Sequence, residues 1–304
     1  MKTKLRPAIF TALAGLLACG ACTIGIRHIR LRDIDLFVLY GEGLGTDYRQ
    51  KGEIEIALPD GNVLRGITAI RPKPAANVLY FGGNGEMAQI SAEKIAAWSE
   101  LYNINVIFVD YQGYGASSGV PTLKGLGGNA LSIFDATADL RGDAPTLAVG
   151  YSLGSLSASY LAAHRPVRGL VLMAPISSFT DEDLTSEKQM RRALRGLVPW
   201  FAIPLTPFVK VRLDIDLPET SEPLHLITRV SAPLLLMHGT ADTLIPSACG
   251  VKVYERARAR KDILLLPGLG HNDLSLSKGP CAERFASFLA SILPQPQPEP
   301  PKTD

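Results

Sequence analysis

Neither sign of charge dominates this sequence. Its 304 residues carry 31 Lys and Arg against 29 Asp and Glu, a formal net charge of +2. So balanced a chain has no general basic surface for a phosphate backbone, and nucleic acid is not an expected partner. Charged residues are too few, at 20%, for a disordered polyelectrolyte, and hydrophobic residues too few, at 46%, for a polytopic membrane protein. Cysteine is scarce: Cys19, Cys22, Cys249 and Cys281 are all there is. No metal-ligand spacing joins Cys249 to Cys281, so they read either as two small buried residues or as a disulfide. A body of this length buries roughly 75% of its extended-chain surface and needs no metal or disulfide for stability.

The few unbalanced charges sit at one end. Lys2, Lys4 and Arg6 supply three positive charges, so the remainder carries one net negative charge. They precede the uncharged stretch 7–18, shorter than the ~20 helical residues that span a hydrocarbon core. Residues 1–18 therefore read as a secretory signal peptide. Leu16-Leu17-Ala18-Cys19 resembles the bacterial lipobox, with Leu17 where a small residue is more usual, and Cys19 would carry the lipid. The alternatives are an uncleaved anchor whose apolar reach continues to Ile26, or plain secretion. Either way the body is expected outside the cytoplasm, in the cell envelope, reaching the membrane through its N-terminal lipid or anchor. Residues 19–50 then form a tether and lead-in. At the other end, residues 294–304 are too rich in Pro to propagate helix or ladder hydrogen bonds and read as a solvated tail.

Between the ends, short β-rich runs alternate with segments of helical period, the pattern of a mostly parallel sheet with helices on both faces. There are eight such runs. Residues 53–58 and 63–70 alternate in period 2 around Pro59-Asp60-Gly61-Asn62, an antiparallel hairpin. Runs 77–81, 105–110, 146–150, 168–174, 233–238 and 262–267 are almost continuously Val, Ile, Leu and Phe, as in strands buried on both faces. Helices are expected over 86–101, 123–140, 153–163, 247–259 and 280–293, the first with Ile90, Ile95, Ala97 and Trp98 at three- and four-residue steps. Residues 175–229 form an insertion between the sixth and seventh strands.

Gly150-Tyr151-Ser152-Leu153-Gly154 fits G-x-S-x-G between an apolar strand and a helix. There the glycines permit the strained turn that lifts a Ser hydroxyl clear of the sheet. The helix that follows aims its N-terminal N–H groups at a developing oxyanion. A hydroxyl is a weak nucleophile at neutral pH and needs a base, which itself needs an orienting acid. His271 lies in Pro267-Gly-Leu-Gly-His-Asn-Asp273, directly after the last strand. The other four histidines, His28, His164, His225 and His238, read as structural. Asp242 lies in the loop after the seventh strand, in His238-Gly-Thr-Ala-Asp242. Asp181 and Asp273 are alternative acids, but the short loop that fixes the reach of Asp242 favours it.

The order Ser152, Asp242, His271, each at the carboxyl end of a strand, resembles the α/β-hydrolase-fold serine hydrolases. The similarity is to the branch with H-G-N after the third strand, D-Y-R-G-Y-G-x-S-x-G after the fourth and H-G-x-x-D…G-x-x-H at the end. It covers residues 58–293. It implies an eight-stranded, mostly parallel sheet with helices on both faces over 51–293 and a small cap insertion at 175–229. By position, Ser152 is then the nucleophile, His271 the general base and acid, and Asp242 its orienting group. The backbone N–H groups of Leu153 and Asn84 would form the oxyanion hole. Asp110-Tyr111-Gln112-Gly113-Tyr114-Gly115 would shape the site floor. Gly82 and Gln112 depart from the family's His and Arg. The implied chemistry is hydrolysis of a small acyl ester, lipid-like or short-chain, without a cofactor. A peptidase or acyl-thioesterase of the same fold is the alternative within enzymes, and a lipid-tethered binding protein the alternative outside them.

Overall fold

The computed structural model describes residues 29–31, 53–178, 213–215 and 218–293. Cys19 and the signal stretch, Cys22, His28, Asp181, residues 179–212 of the insertion and the 294–304 tail lie outside the described residues. The chain divides into two compact units. In the smaller, Ile29–Leu31 pairs in parallel with Leu213–Ile215, a pairing that the eight-run reading does not contain. The rest of the described chain belongs to the larger.

The larger unit is built on one eight-stranded sheet. Its strands are β1 (Glu53–Ala57), β2 (Val63–Ala69), β3 (Ala76–Phe81), β4 (Ile104–Val109), β5 (Thr146–Tyr151), β6 (Gly169–Met173), β7 (Leu234–Gly239) and β8 (Lys261–Leu266). Their spatial order is β8-β7-β6-β5-β3-β4-β2-β1. Only β2 runs against its neighbours. The β1–β2 turn closes as its residue types require: Gly61 has φ +85°, and Asp60 Oδ1 accepts the Asn62 N–H at 3.0 Å.

Strands β3 to β7 are buried on both faces because successive side chains feed two separate cores. Leu79, Phe81, Ile107, Ala148, Leu172 and Leu236 enter one, with Leu126 and Ile133 of α2 (Leu123–Ala136), Leu156 of α4 (Gly154–His164) and Val253 of α6 (Ser247–Arg256). Val78, Tyr80, Phe108, Val149, Val171 and Met237 enter the other, with Ile95 and Trp98 of α1 (Ala92–Tyr102) and Phe285 and Leu289 of α7 (Gly279–Ile292). Two short helices complete this unit, α3 (Ala138–Arg141) and α5 (Pro223–Leu226). Each fully buried Leu or Phe contributes about 1.5–3 kcal/mol, so the two apolar layers dominate the fold's stability.

Two helix expectations need correction. The first helix begins at Ala92 rather than at residue 86, and Ile90 and Ala97 are exposed while Ile95 and Trp98 are buried. The cause is Glu86, whose carboxylate is drawn into hydrogen bonds beneath the preceding turn. The 123–140 helix breaks at Thr137, whose Oγ1 donates to the Ile133 carbonyl at 2.7 Å. Cys249 and Cys281 are free and buried in opposite cores, so they form no disulfide with each other. Pro218–Arg229, the end of the insertion, packs onto the body through Leu226 and Ile227, both almost fully buried.

Candidate active site

The chain leaves β3 outward to β4 and returns to β5 on the other side of β3, so the strand order reverses there and opens a crevice at the carboxyl ends. Ser152 stands at this point, one residue past β5. Its φ is +52°, a left-handed conformation that a non-glycine residue adopts only when its surroundings impose it. The flanking glycines explain how. A Cβ on Gly150 would lie 2.5 Å from the Gly154 carbonyl oxygen, and one on Gly154 would lie 2.0 Å from the Phe81 carbonyl oxygen. Strand, turn and helix thus cross without room for a methyl group. The turn is tied to β6 by the Ser152 N–H, which donates to Met173 O at 2.9 Å.

His271 and Asp242 arrive from the loops after β8 and β7. Those loops are joined: Ala241 N–H donates to Leu269 O at 2.9 Å, and Gly268 N–H to Thr240 Oγ1 at 3.1 Å. His271 Nε2 lies 2.9 Å from Ser152 Oγ, and its Nδ1 lies 2.6 Å from Asp242 Oδ2. Asp242 Oδ1 accepts the N–H groups of Leu244 and Ile245 at 2.9 and 2.8 Å. Burial acts to raise this carboxyl's pKa. Hydrogen bonds with His238 and His271, the Ile245 N–H and the His271 charge outweigh it and hold the group well below the usual carboxylate range. Asp242 is therefore a carboxylate at neutral pH.

Three contacts escaped the sequence reading. Tyr151 Oη donates to the His271 carbonyl at 2.7 Å, and its ring stands 5.5 Å from the imidazole, so the residue before Ser152 anchors the histidine loop. Burial, followed by nearby negative charge, keeps that phenol protonated. His238 is fully buried; its Nε2 bonds Ile245 O at 2.9 Å and lies 3.3 Å from Asp242 Oδ2. Its i, i+4 spacing to Asp242 was the only signal available. Glu86 accepts the Gly83 N–H at 2.9 Å. Of the other expected structural histidines, His164 Nδ1 bonds Tyr160 O at 2.8 Å at the end of α4, and His225 is exposed on α5. Asp273 accepts the Gly270 N–H at 2.6 Å, whereas the His271 ring nitrogens bond Asp242 and Ser152.

The motif after β4 supports the Gly82–Gly85 turn. Tyr111 Oη donates to Gly82 O at 2.9 Å, and Tyr114 Oη to Asn84 Oδ1 at 3.1 Å. Gln112 turns away to Asp60 Oδ2, 2.8 Å distant. The backbone N–H groups of Asn84 and Leu153 find no acceptor among the described residues. No group of three His, Cys, Asp or Glu suited to a metal occurs among those residues. A cleft of about 610 Å³ between β8 and α7, lined by Arg260, Lys261, Arg284 and others, contains none of the residues around Ser152.

A profile of the family described as serine aminopeptidase, S33 matches residues 72–222. That span includes Ser152 and ends before Asp242 and His271. The α/β hydrolase domain-containing protein aho-3 of Caenorhabditis elegans is 29% identical over 227 residues, 73% of this chain and 60% of that protein. The human α/β hydrolase domain-containing protein 17B is 28% identical over 225 residues, 73% of this chain and 69% of that protein. The chain thus spans somewhat less than two thirds of the nematode relative's length. Among solved structures, the esterase RhEst1 from Rhodococcus sp. ECU1013 has a TM-score of 0.56 and 20% identity, over 80% of this chain and all of that one. The sheet order, its single antiparallel strand and these likenesses together show that the chain has the α/β-hydrolase fold.

Proposed function

We propose that the chain is a serine hydrolase that cleaves a carboxylic ester through an acyl-enzyme. The observation that carries this is the unbroken line from Asp242 through His271 to Ser152, with separations of 2.6 and 2.9 Å. In the first step Ser152 Oγ bonds to the ester carbonyl carbon while its proton passes to His271 Nε2. Asp242 keeps the other imidazole proton on Nδ1 and stabilises the imidazolium that forms. The carbonyl electrons move to oxygen, and the N–H groups of Leu153 and Asn84 receive the oxyanion, aided by the positive end of α4. Collapse breaks the bond to the alcohol, which leaves with the proton from His271. Water then repeats the cycle on the acyl-enzyme, giving up its proton to His271 and releasing the acid and free Ser152.

The RhEst1 likeness is compatible with an ester, whereas the S33 family description favours a second reading, removal of an N-terminal residue from a peptide. The two separate in one assay. The full chain is expected to hydrolyse p-nitrophenyl acetate and butyrate, and Ser152→Ala to lose that activity together with labelling by a fluorophosphonate. Faster turnover of aminoacyl arylamides than of the esters would favour the peptidase. Absence of any fluorophosphonate labelling would sink both.

A further inference from the structure

Gly82 stands where the resembled family has His, and its space is already occupied. A Cβ there would meet the Phe108 ring at 2.7 Å and the Glu86 carboxylate at 3.0 Å. Glu86 follows the glycine turn and folds back beneath it. Its Oε2 accepts the Gly83 N–H at 2.9 Å, while its own N–H donates to the Gly83 carbonyl at 3.2 Å. The same carboxylate accepts the Tyr80 hydroxyl at 2.9 Å and the Ser91 hydroxyl at 3.1 Å, and it forms an ion pair with Lys94. Burial, and then the charge of Glu86, hold the Tyr80 phenol far above its ordinary range, so it stays a donor. Lys94 lies 4.6 Å above the Tyr80 ring and 5.2 Å from that of Trp98. With the Glu86 side chain only 16% exposed, this is not a solvated surface pair.

Gly83 in turn lies on the nucleophile, since a Cβ added to it would stand 3.5 Å from Ser152 Cβ. Because its N–H is committed to Glu86, Gly83 cannot donate to a substrate oxygen. The next N–H along the chain, that of Asn84, has no acceptor among the described residues. A bare carboxylate so close to a developing oxyanion would oppose it, and Lys94 supplies the compensating charge.

We propose that Glu86, neutralised by Lys94, is the positioning residue of the oxyanion loop: it clips Gly83 so that the Asn84 N–H is held for the substrate oxygen. This rests on the ester-hydrolase reading above. Glu86→Leu removes the acceptor, whereas Glu86→Gln keeps a carbonyl oxygen for Gly83. With p-nitrophenyl butyrate and the full chain, Glu86→Leu is expected to lower kcat about 100-fold, the scale of losing one oxyanion donor, with KM changed less than about threefold. Glu86→Gln should recover to within about tenfold of the wild type, and Lys94→Met should lose about tenfold in kcat, again with KM nearly unchanged. Lys94→Met also decides the matter if the Leu variant does not fold. Amide exchange at Gly83 reads the clip without substrate, slow in the wild type and Glu86→Gln and fast in Glu86→Leu. An unchanged kcat in a folded Glu86→Leu or Lys94→Met chain overturns the proposal, as do equal losses in the Leu and Gln variants or unchanged Gly83 exchange. If the wild type hydrolyses no ester, the ester reading fails while the exchange comparison still decides on Glu86.

Discussion

Asp242→Asn tests the charge line at the member that the sequence left most open. The two carboxylate oxygens of Asp242 face different partners: Oδ1 takes two backbone N–H groups, and Oδ2 faces His271 Nδ1 and, at longer range, His238 Nε2. An amide must choose between them. Placing its NH2 toward Leu244 and Ile245 would set donor against donor twice at under 3 Å, losing two hydrogen bonds of about 1 kcal/mol each. The opposite orientation keeps both, turns the NH2 toward His271 and gives up only the 3.3 Å contact with His238. It is favoured by about 2 kcal/mol, which leaves the productive imidazole tautomer at roughly 3%. Losing the carboxylate charge that stabilises the imidazolium lowers the rate further. The combined fall in kcat should be on the order of 10³- to 10⁴-fold, about 4–5.4 kcal/mol of transition-state stabilisation. Steady-state hydrolysis of p-nitrophenyl butyrate by folded Asp242→Asn measures it. Activity within tenfold of the wild type would refute the assignment, and loss of activity in Asp181→Asn instead would transfer the role.

Gly154→Ala is expected to cost about 3 kcal/mol, because its methyl would overlap the Phe81 carbonyl, and to lower the thermal midpoint by roughly 6–12 °C in a domain of this size; an unchanged midpoint would contradict the crossing geometry. Cys249 and Cys281, both buried and with the Cys281 thiol pushed up by that burial, should be recovered as thiols from the unreduced native chain; a disulfide-linked peptide joining them would refute their assignment as free thiols.

Legibility in the sequence followed the range of the interactions that shape each element. Strands β3 to β7 were readable because burial on both faces leaves few polar positions, Asn77, Asn105, Thr146 and His238 among them, so a nearly continuous apolar run has few other meanings. The turn at Ser152 was readable because its requirements are local: glycine at 150 and 154, where strand and helix backbones nearly touch. The segment around Glu86 misled the periodicity reading because its conformation is decided by partners on β3 and α1, namely Tyr80 and Lys94, rather than by its own helical preference. The pairing of Ile29–Leu31 with Leu213–Ile215 leaves no trace in period or composition, since three-residue strands are too short to show either. His238 reads from the sequence as a structural histidine at the end of a strand, but its burial and its approach to Asp242 depend on how the loop after β7 folds back onto its own strand. The same reasoning explains why Ser152 was the easiest candidate to single out in the sequence and Asp242 the hardest. The turn at Ser152 is specified by five consecutive residues, whereas Asp242 reaches His271, 29 residues further on, only where two loops are hydrogen-bonded into one.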